Sequence, residues 1–168
     1  GELSLPRVHS PYCGPMAEVW MALLTGIVGI RLSVIDLAEH RLPNRLTIPL
    51  FFSLAVLSLA SGDDSALRGA LVGSVVTGVA YWALAVMPGE PLGMGDVKFQ
   101  FALGWLLGHL ELQLAIVGAA GTFVVGGLSA IPRLWRSKGA DENPIPLGPW
   151  MMVSTCLVYV VADSVKII

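Results

Sequence analysis

Two aspartates stand at the edges of long apolar runs, where a carboxylate is costly to keep and is a functional candidate by default. Asp36 ends the run LSVID, and Asp96 follows a glycine-rich turn in the segment PLGMGDVKF. Two carboxylates brought close together cannot both ionise easily, so they share one proton. One of them then takes a proton from water while the other, protonated, polarises a peptide carbonyl. The pair therefore predicts an aspartic peptidase.

Each aspartate also has a structural interpretation. A single Asp at a helix end is more often a cap or an interfacial anchor than a catalytic group. Gly93 and Gly95 favour the catalytic interpretation of Asp96, because they remove side chains around it and permit tight turning and the close approach of another backbone. The pattern G-x-G-D is by itself a weak signal in a chain with 19 glycines.

The composition indicates that the segments of the chain that position these two aspartates are surrounded mainly by lipid. The 168 residues are 55% hydrophobic and only 13% charged, whereas a soluble domain is about a quarter charged. A soluble enzyme and a disordered tail are excluded, and a net charge of -2 without a basic face excludes nucleic-acid binding. The two cysteines, Cys13 and Cys156, are too far apart in sequence to indicate a zinc site or a disulfide scaffold.

Six apolar segments predict the fold class, an all-α polytopic membrane protein with a bundle of about six transmembrane helices. Residues 1–15 are polar and proline-rich and are predicted to be a tail, and 16–168 form one membrane-embedded domain. Glycines recur at helix-packing spacing in pairs such as Gly69 and Gly73, and Gly104 and Gly108, which favours close packing within one chain. The segments are 17–35, 47–61, 69–87, 97–110, 112–131 and 147–165.

Loop charges orient the predicted bundle. Six basic residues flank the side on which both aspartates lie, against three on the other side, so this side is predicted to face the cytoplasm. Two crossings separate Asp36 from Asp96, so both return to that face. The six are Arg41, Arg45, Lys98, Arg133, Arg136 and Lys138, and the three are Arg7, Arg68 and Lys166.

Three segments together resemble the type IV prepilin peptidases, within the wider G-x-G-D class of intramembrane aspartyl proteases. IDLAEHRLPNRLTIP resembles the first catalytic motif, with Asp36 followed by Pro43 and Asn44. GMGDVK resembles the second, with Asp96 as its aspartate, and IPLGPWM resembles the Gly-Pro segment that opens the last helix, here Gly148 and Pro149. The likeness extends over about 16–165.

The resemblance implies cleavage of the short basic leader of a prepilin or pseudopilin at the cytoplasmic face of the cell membrane. Long members of the family also methylate the new N-terminus through a domain with paired C-x-x-C motifs. This sequence has only two cysteines, so peptidase activity alone is expected, with methylation absent or supplied by another protein. No cofactor is expected, and His40 and His109 have no companion ligands for a metal.

Supporting roles are predicted for residues beside the two aspartates. Lys98 biases the pair, contacts substrate or is a snorkelling cytoplasmic anchor. Glu39 is a candidate partner for the basic leader, and Pro43 with Asn44 forms the turn that ends the first helix. Two rival functions are a small proton-coupled transporter, which would place acids near mid-membrane, and a non-catalytic membrane scaffold.

Overall fold

The computed structural model describes residues 13–39, 42–88, 92–136 and 146–166, and these ranges contain six α-helices and no strand. The six predicted helices are confirmed in number and order. Their membrane crossing is supported by length and apolarity for two of them, over Met16–Glu39 and Asp64–Ala85. The helices are α1 (Cys13–Glu39), α2 (Asn44–Ala60), α3 (Asp64–Ala85), α4 (Met94–Leu110), α5 (Leu112–Arg136) and α6 (Gly148–Lys166).

Helix α4 lies at the centre and packs against each of the other five helices. Its residues 102–109 are all buried, as expected of a helix that is apolar around its whole circumference. Surrounding helices instead present one apolar face outward: on α1 the exposed large side chains include Trp20, Ile27 and Val34. Contiguous exposed apolar faces of this kind are typical of surfaces that contact a membrane or another protein.

Glycines set the distance between α3 and α4. A Cβ atom on Gly73 would lie 2.8 Å from the carbonyl oxygen of Gly104, and one on Gly108 would lie 2.5 Å from that of Gly69. The backbones therefore touch directly, and the predicted packing of these glycines within one chain is confirmed. Because α4 is anchored so closely to α3, its first turn has a defined position relative to the rest of the bundle.

Asp63 caps the beginning of α3, and its loss is expected to destabilise the bundle. Its carboxylate accepts hydrogen bonds from the backbone N–H groups of Ser65 and Ala66, at 2.9 and 3.1 Å. The hydrogen bond from the Ser65 hydroxyl is the largest of the effects that lower the pKa of Asp63. We expect Asp63→Ala to reduce the free energy of unfolding by about 1 kcal/mol, measured by denaturation in detergent.

The pH dependence of this loss follows from the lowered pKa. Asp63 contributes stability above the usual carboxyl pKa, and the contribution disappears as the pH falls through its lowered value in the folded protein. Asp64→Ala is the control, since it removes a carboxylate from the same turn but leaves the cap in place. If both variants lost the same unfolding free energy, or if the difference between them did not shrink in acid, the helix cap would not be the source of the stability.

Candidate active site

Asp36 lies in the last turn of α1, in contact with the first residue of α6. Its side chain is buried, with 5% of its surface exposed. The backbone N–H of Gly148 donates to Oδ2 of Asp36 over 2.9 Å. A carboxylate can be buried where hydrogen-bond donors of the protein replace the water molecules that it loses. The N–H of Gly148 is one such donor.

Asp96 lies in the first turn of α4, just after the turn formed by the glycines. Gly93 is the N-cap, with an extended backbone, and its carbonyl accepts the N–H of Asp96 at 3.0 Å. The carboxylate of Asp96 is in turn hydrogen-bonded by the backbone of Gly93. The Asp96 side chain, which reaches back to the N-cap backbone, supplies one half of a capping box, and Gly93 has no side chain to supply the other half. Asp96 is thus a helix-terminal residue as well as a candidate site residue.

The two carboxylates are close enough to influence each other. Asp96 precedes the predicted span 97–110, and burial raises the pKa of its carboxyl, with the carboxylate of Asp36 as the second cause of the rise. The hydrogen bond from Gly93 acts in the opposite direction and is the smaller effect. Helix α1, which contains Asp36 in its last turn, and helix α4, which contains Asp96 in its first turn, are in contact.

Gly95 lies where α4 meets the connection between α1 and α2. A Cβ atom at this position would be 2.8 Å from Cβ of Leu42 and 3.3 Å from its carbonyl oxygen. Its backbone does not have a positive φ, which among the described glycines occurs only at Gly62. Glycine is therefore required at position 95 by the close approach of Leu42, and the sequence carried no signal for Leu42 as a site residue.

The Pro-Asn segment is joined to the second motif by a hydrogen bond between side chains. Pro43 is the extended N-cap of α2, and its carbonyl accepts the N–H of Leu46 at 3.0 Å. The Lys98 ammonium donates to Oδ1 of Asn44 over 2.9 Å. Lys98 thus holds the beginning of α2 against the beginning of α4, a contact that none of its predicted roles included.

The remaining predicted residues lie at helix ends. Pro149 is the second residue of α6, where its fixed φ suits the first turn and its missing N–H costs no helical bond. Glu39 is the exposed last residue of α1, three residues after Asp36. Within the described ranges no three His, Cys, Asp or Glu side chains lie close enough to hold a metal ion, and His40 falls outside them.

The chain is similar in sequence to a known protein family and to several known proteins. The type IV leader peptidase family matches residues 23–131, a range that contains Asp36 and Asp96 and ends before Gly148. The prepilin leader peptidase/N-methyltransferase of Aeromonas hydrophila is 34% identical over 148 residues, which cover 86% of this chain and 50% of that protein. The chain thus spans about half the length of this relative. No solved structure matches the chain.

Two further relatives differ in length. Leader peptidase HopD of Escherichia coli is 34% identical over 137 residues, covering 77% of this chain and 84% of that protein. The prepilin leader peptidase/N-methyltransferase of Dickeya chrysanthemi is 33% identical over 139 residues, covering 79% of this chain and 47% of that protein. The similarity to HopD therefore extends over most of both chains.

Proposed function

Because this chain belongs to the type IV leader peptidase family, we propose that it is an aspartic endopeptidase that removes the leader from a prepilin or pseudopilin. The observation that carries the proposal is the pairing of Asp36 with Asp96 at the junction of α1 and α4. Relatives named prepilin leader peptidase support the substrate class. The segment that resembles the family's Gly-Pro motif contributes the N–H that contacts Asp36.

The proposed mechanism uses one proton shared by the two carboxylates. The ionised member takes a proton from water while the water oxygen bonds to the scissile carbonyl carbon. The protonated member donates to the carbonyl oxygen, which stabilises the tetrahedral intermediate. The C–N bond then breaks, the nitrogen receives a proton from the pair, and the products are a leader carboxylate and a new N-terminal amine. A bell-shaped dependence of rate on pH is expected, because activity requires exactly one proton on the pair.

The proposed location is the cell membrane, with the site at its cytoplasmic face. Support comes from the apolar outward faces, the two candidate spans and the excess of basic residues on the side of Asp36 and Asp96. Lipid is then the partner of the outward faces, and the substrate approaches with its basic leader in the cytoplasm. A proton-coupled transporter is less well supported, since both acids lie at helix ends and not at mid-membrane.

Labelling of introduced cysteines should establish the orientation. In a chain whose Cys13 and Cys156 are serine, we introduce Asp64→Cys at the beginning of α3 or Pro88→Cys after its end, both at exposed positions. A membrane-impermeant maleimide should label the first in intact cells and the second only after permeabilisation. Each variant serves as the control for the other. Labelling of the second variant in intact cells would contradict the proposed orientation.

Cleavage by the purified chain tests the function itself. The protein in detergent is incubated with a prepilin that has a basic leader, a glycine and a long apolar helix, and the new N-terminus is sequenced. We expect cleavage after the leader glycine, without any added cofactor and unaffected by chelators. Intact substrate at high enzyme concentration would favour a scaffold, whereas proton flux into vesicles without cleavage would favour a transporter.

A further inference from the structure

A backbone N–H from the last helix contacts the carboxyl of Asp36. The N–H of Gly148 donates to Oδ2, and the bond joins residues 112 positions apart and is buried. Gly148 is the first residue of α6, so its N–H is one of those that a helix leaves without an intrahelical partner. The positive end of the α6 dipole therefore faces a carboxylate.

The geometry admits only glycine at position 148. A Cβ atom there would lie 2.8 Å from Oδ2 of Asp36 and 3.3 Å from both Cβ and Cγ of the same residue. Asp36 is 5% exposed, so its side chain has little space into which to rotate. Any side chain at 148 would therefore displace the carboxyl that the N–H contacts.

We infer that the Gly148 N–H is a positioning group of the catalytic pair, which fixes the plane of the Asp36 carboxyl and reserves Oδ2 as an acceptor. The inference rests on the proposed function of the pair. A carboxyl oxygen without a proton accepts an N–H better than a protonated one does, so the Gly148 N–H favours the shared proton on Oδ1 of Asp36 or on Asp96. Oδ1 is then the oxygen of Asp36 that exchanges a proton with water. Gly148 itself acts only through Asp36.

The charged groups near Asp36 influence how much the hydrogen bond from Gly148 affects the pH dependence of cleavage. Among the described residues, Asp96 of α4 is one titratable neighbour, since the charge of Asp36 contributes to the raised pKa of Asp96. The first turn of α6 contains no acidic residue. Glu39 on α1 and Arg45 on α2 are both exposed, so solvent screens their charges. Loss of the Gly148 donor is therefore expected to change the first deprotonation of the pair more than the charge of Glu39 or Arg45 does.

Replacement of the Gly148 amide by an ester tests the inference most directly. Incorporation of glycolic acid at position 148 exchanges the N–H for an oxygen and adds no atom that could collide with Asp36. We expect kcat for prepilin cleavage to fall about tenfold, since a hydrogen bond to a charged group is lost, with KM unchanged. The acid limb of the rate should move to higher pH, because a carboxylate without its donor binds a proton more readily.

Gly148→Ala provides a second variant, with Gly121→Ala as its matched control. A Cβ atom on Gly121 would meet the Ser154 hydroxyl of α6, so this substitution also crowds α6 but away from the pair. We expect kcat per folded molecule to fall about a hundredfold for Gly148→Ala, because the carboxyl is misplaced, and to stay at the wild-type value for Gly121→Ala.

The outcomes separate this inference from the proposed function. An ester protein with wild-type kcat and an unmoved acid limb would overturn the inference, as would equal losses in the two alanine variants. Both results presuppose that the wild-type chain cleaves prepilin. Absence of cleavage by the wild-type chain would overturn the proposed function instead.

Discussion

Asp36→Asn and Asp96→Asn are each expected to lower the rate of prepilin cleavage by about 10⁴-fold, the upper range for removal of a general acid or base. Asparagine is nearly isosteric with aspartate but cannot exchange the proton that the proposed mechanism requires the pair to share. In Asp36→Asn the amide oxygen can still accept the N–H of Gly148, so the bundle should stay folded. The measurement is single-turnover cleavage in detergent, with thermal unfolding recorded for each variant.

Asp163→Asn is the control for these two variants. Asp163 is an exposed aspartate near the end of α6, far in sequence from both motifs, and its substitution should leave turnover unchanged. Substantial cleavage after the leader glycine by Asp36→Asn or by Asp96→Asn would refute the two-aspartate mechanism. Loss of activity together with loss of the folded state would instead identify the mutated residue as structural.

Gly95→Ala is expected to reduce turnover by about 100-fold, the effect of a misplacement near the reacting groups. The added methyl group would lie 2.8 Å from Cβ of Leu42. Because Leu42 is buried, either its segment or the first turn of α4 must move. Asp96 follows directly and would move with that turn. The free energy of unfolding of the Gly95→Ala variant should change little, since the segments that must move are short and lie at helix ends. The main effect of this substitution is therefore expected on turnover.

Gly108→Ala should show the opposite pattern. Its methyl group would lie 2.5 Å from the carbonyl oxygen of Gly69, and two backbones held by whole helices cannot separate locally. We expect a loss of about 1–3 kcal/mol in unfolding free energy and near wild-type turnover per folded molecule, because position 108 is about 18 Å along the helix from Asp96. Equal turnover of the two alanine variants at matched folded concentration would show that the glycine of the second motif has only a packing role.

Local patterns predicted a large part of this structure. Each of the six apolar segments became a helix, with α4 at 94–110 against a predicted 97–110 and α6 at 148–166 against 147–165. Membrane crossing was predicted for all six, and two meet the criteria of length and apolarity. Apolar runs and their interruptions are local features, so helix positions follow from them without knowledge of the fold.

The approach of the two aspartates followed from helix order. With Asp36 in the last turn of α1 and Asp96 in the first turn of α4, the two intervening helices return the chain to the same end of the bundle. The packing of Gly73 against Gly104 was likewise foreseeable from small-residue spacing. The sequence did not identify which atoms would be in contact. Residue spacing defines one face of a helix but does not say against which other helix that face packs.

The contacts that shape the site depended on the tertiary structure. Gly148 and Asp36 are 112 residues apart, and Lys98 and Asn44 are 54 residues apart. In the sequence nothing distinguishes Leu42 from other apolar residues between predicted helices. In the structure its close approach accounts for the requirement of glycine at position 95. Such contacts are decided by how whole helices pack, because the position of a helix end depends on every side chain along its interface. The sequence by itself determined the helices and the two aspartates at their ends, while the packing of α1, α4 and α6 determined which backbone group contacts the carboxyl of Asp36.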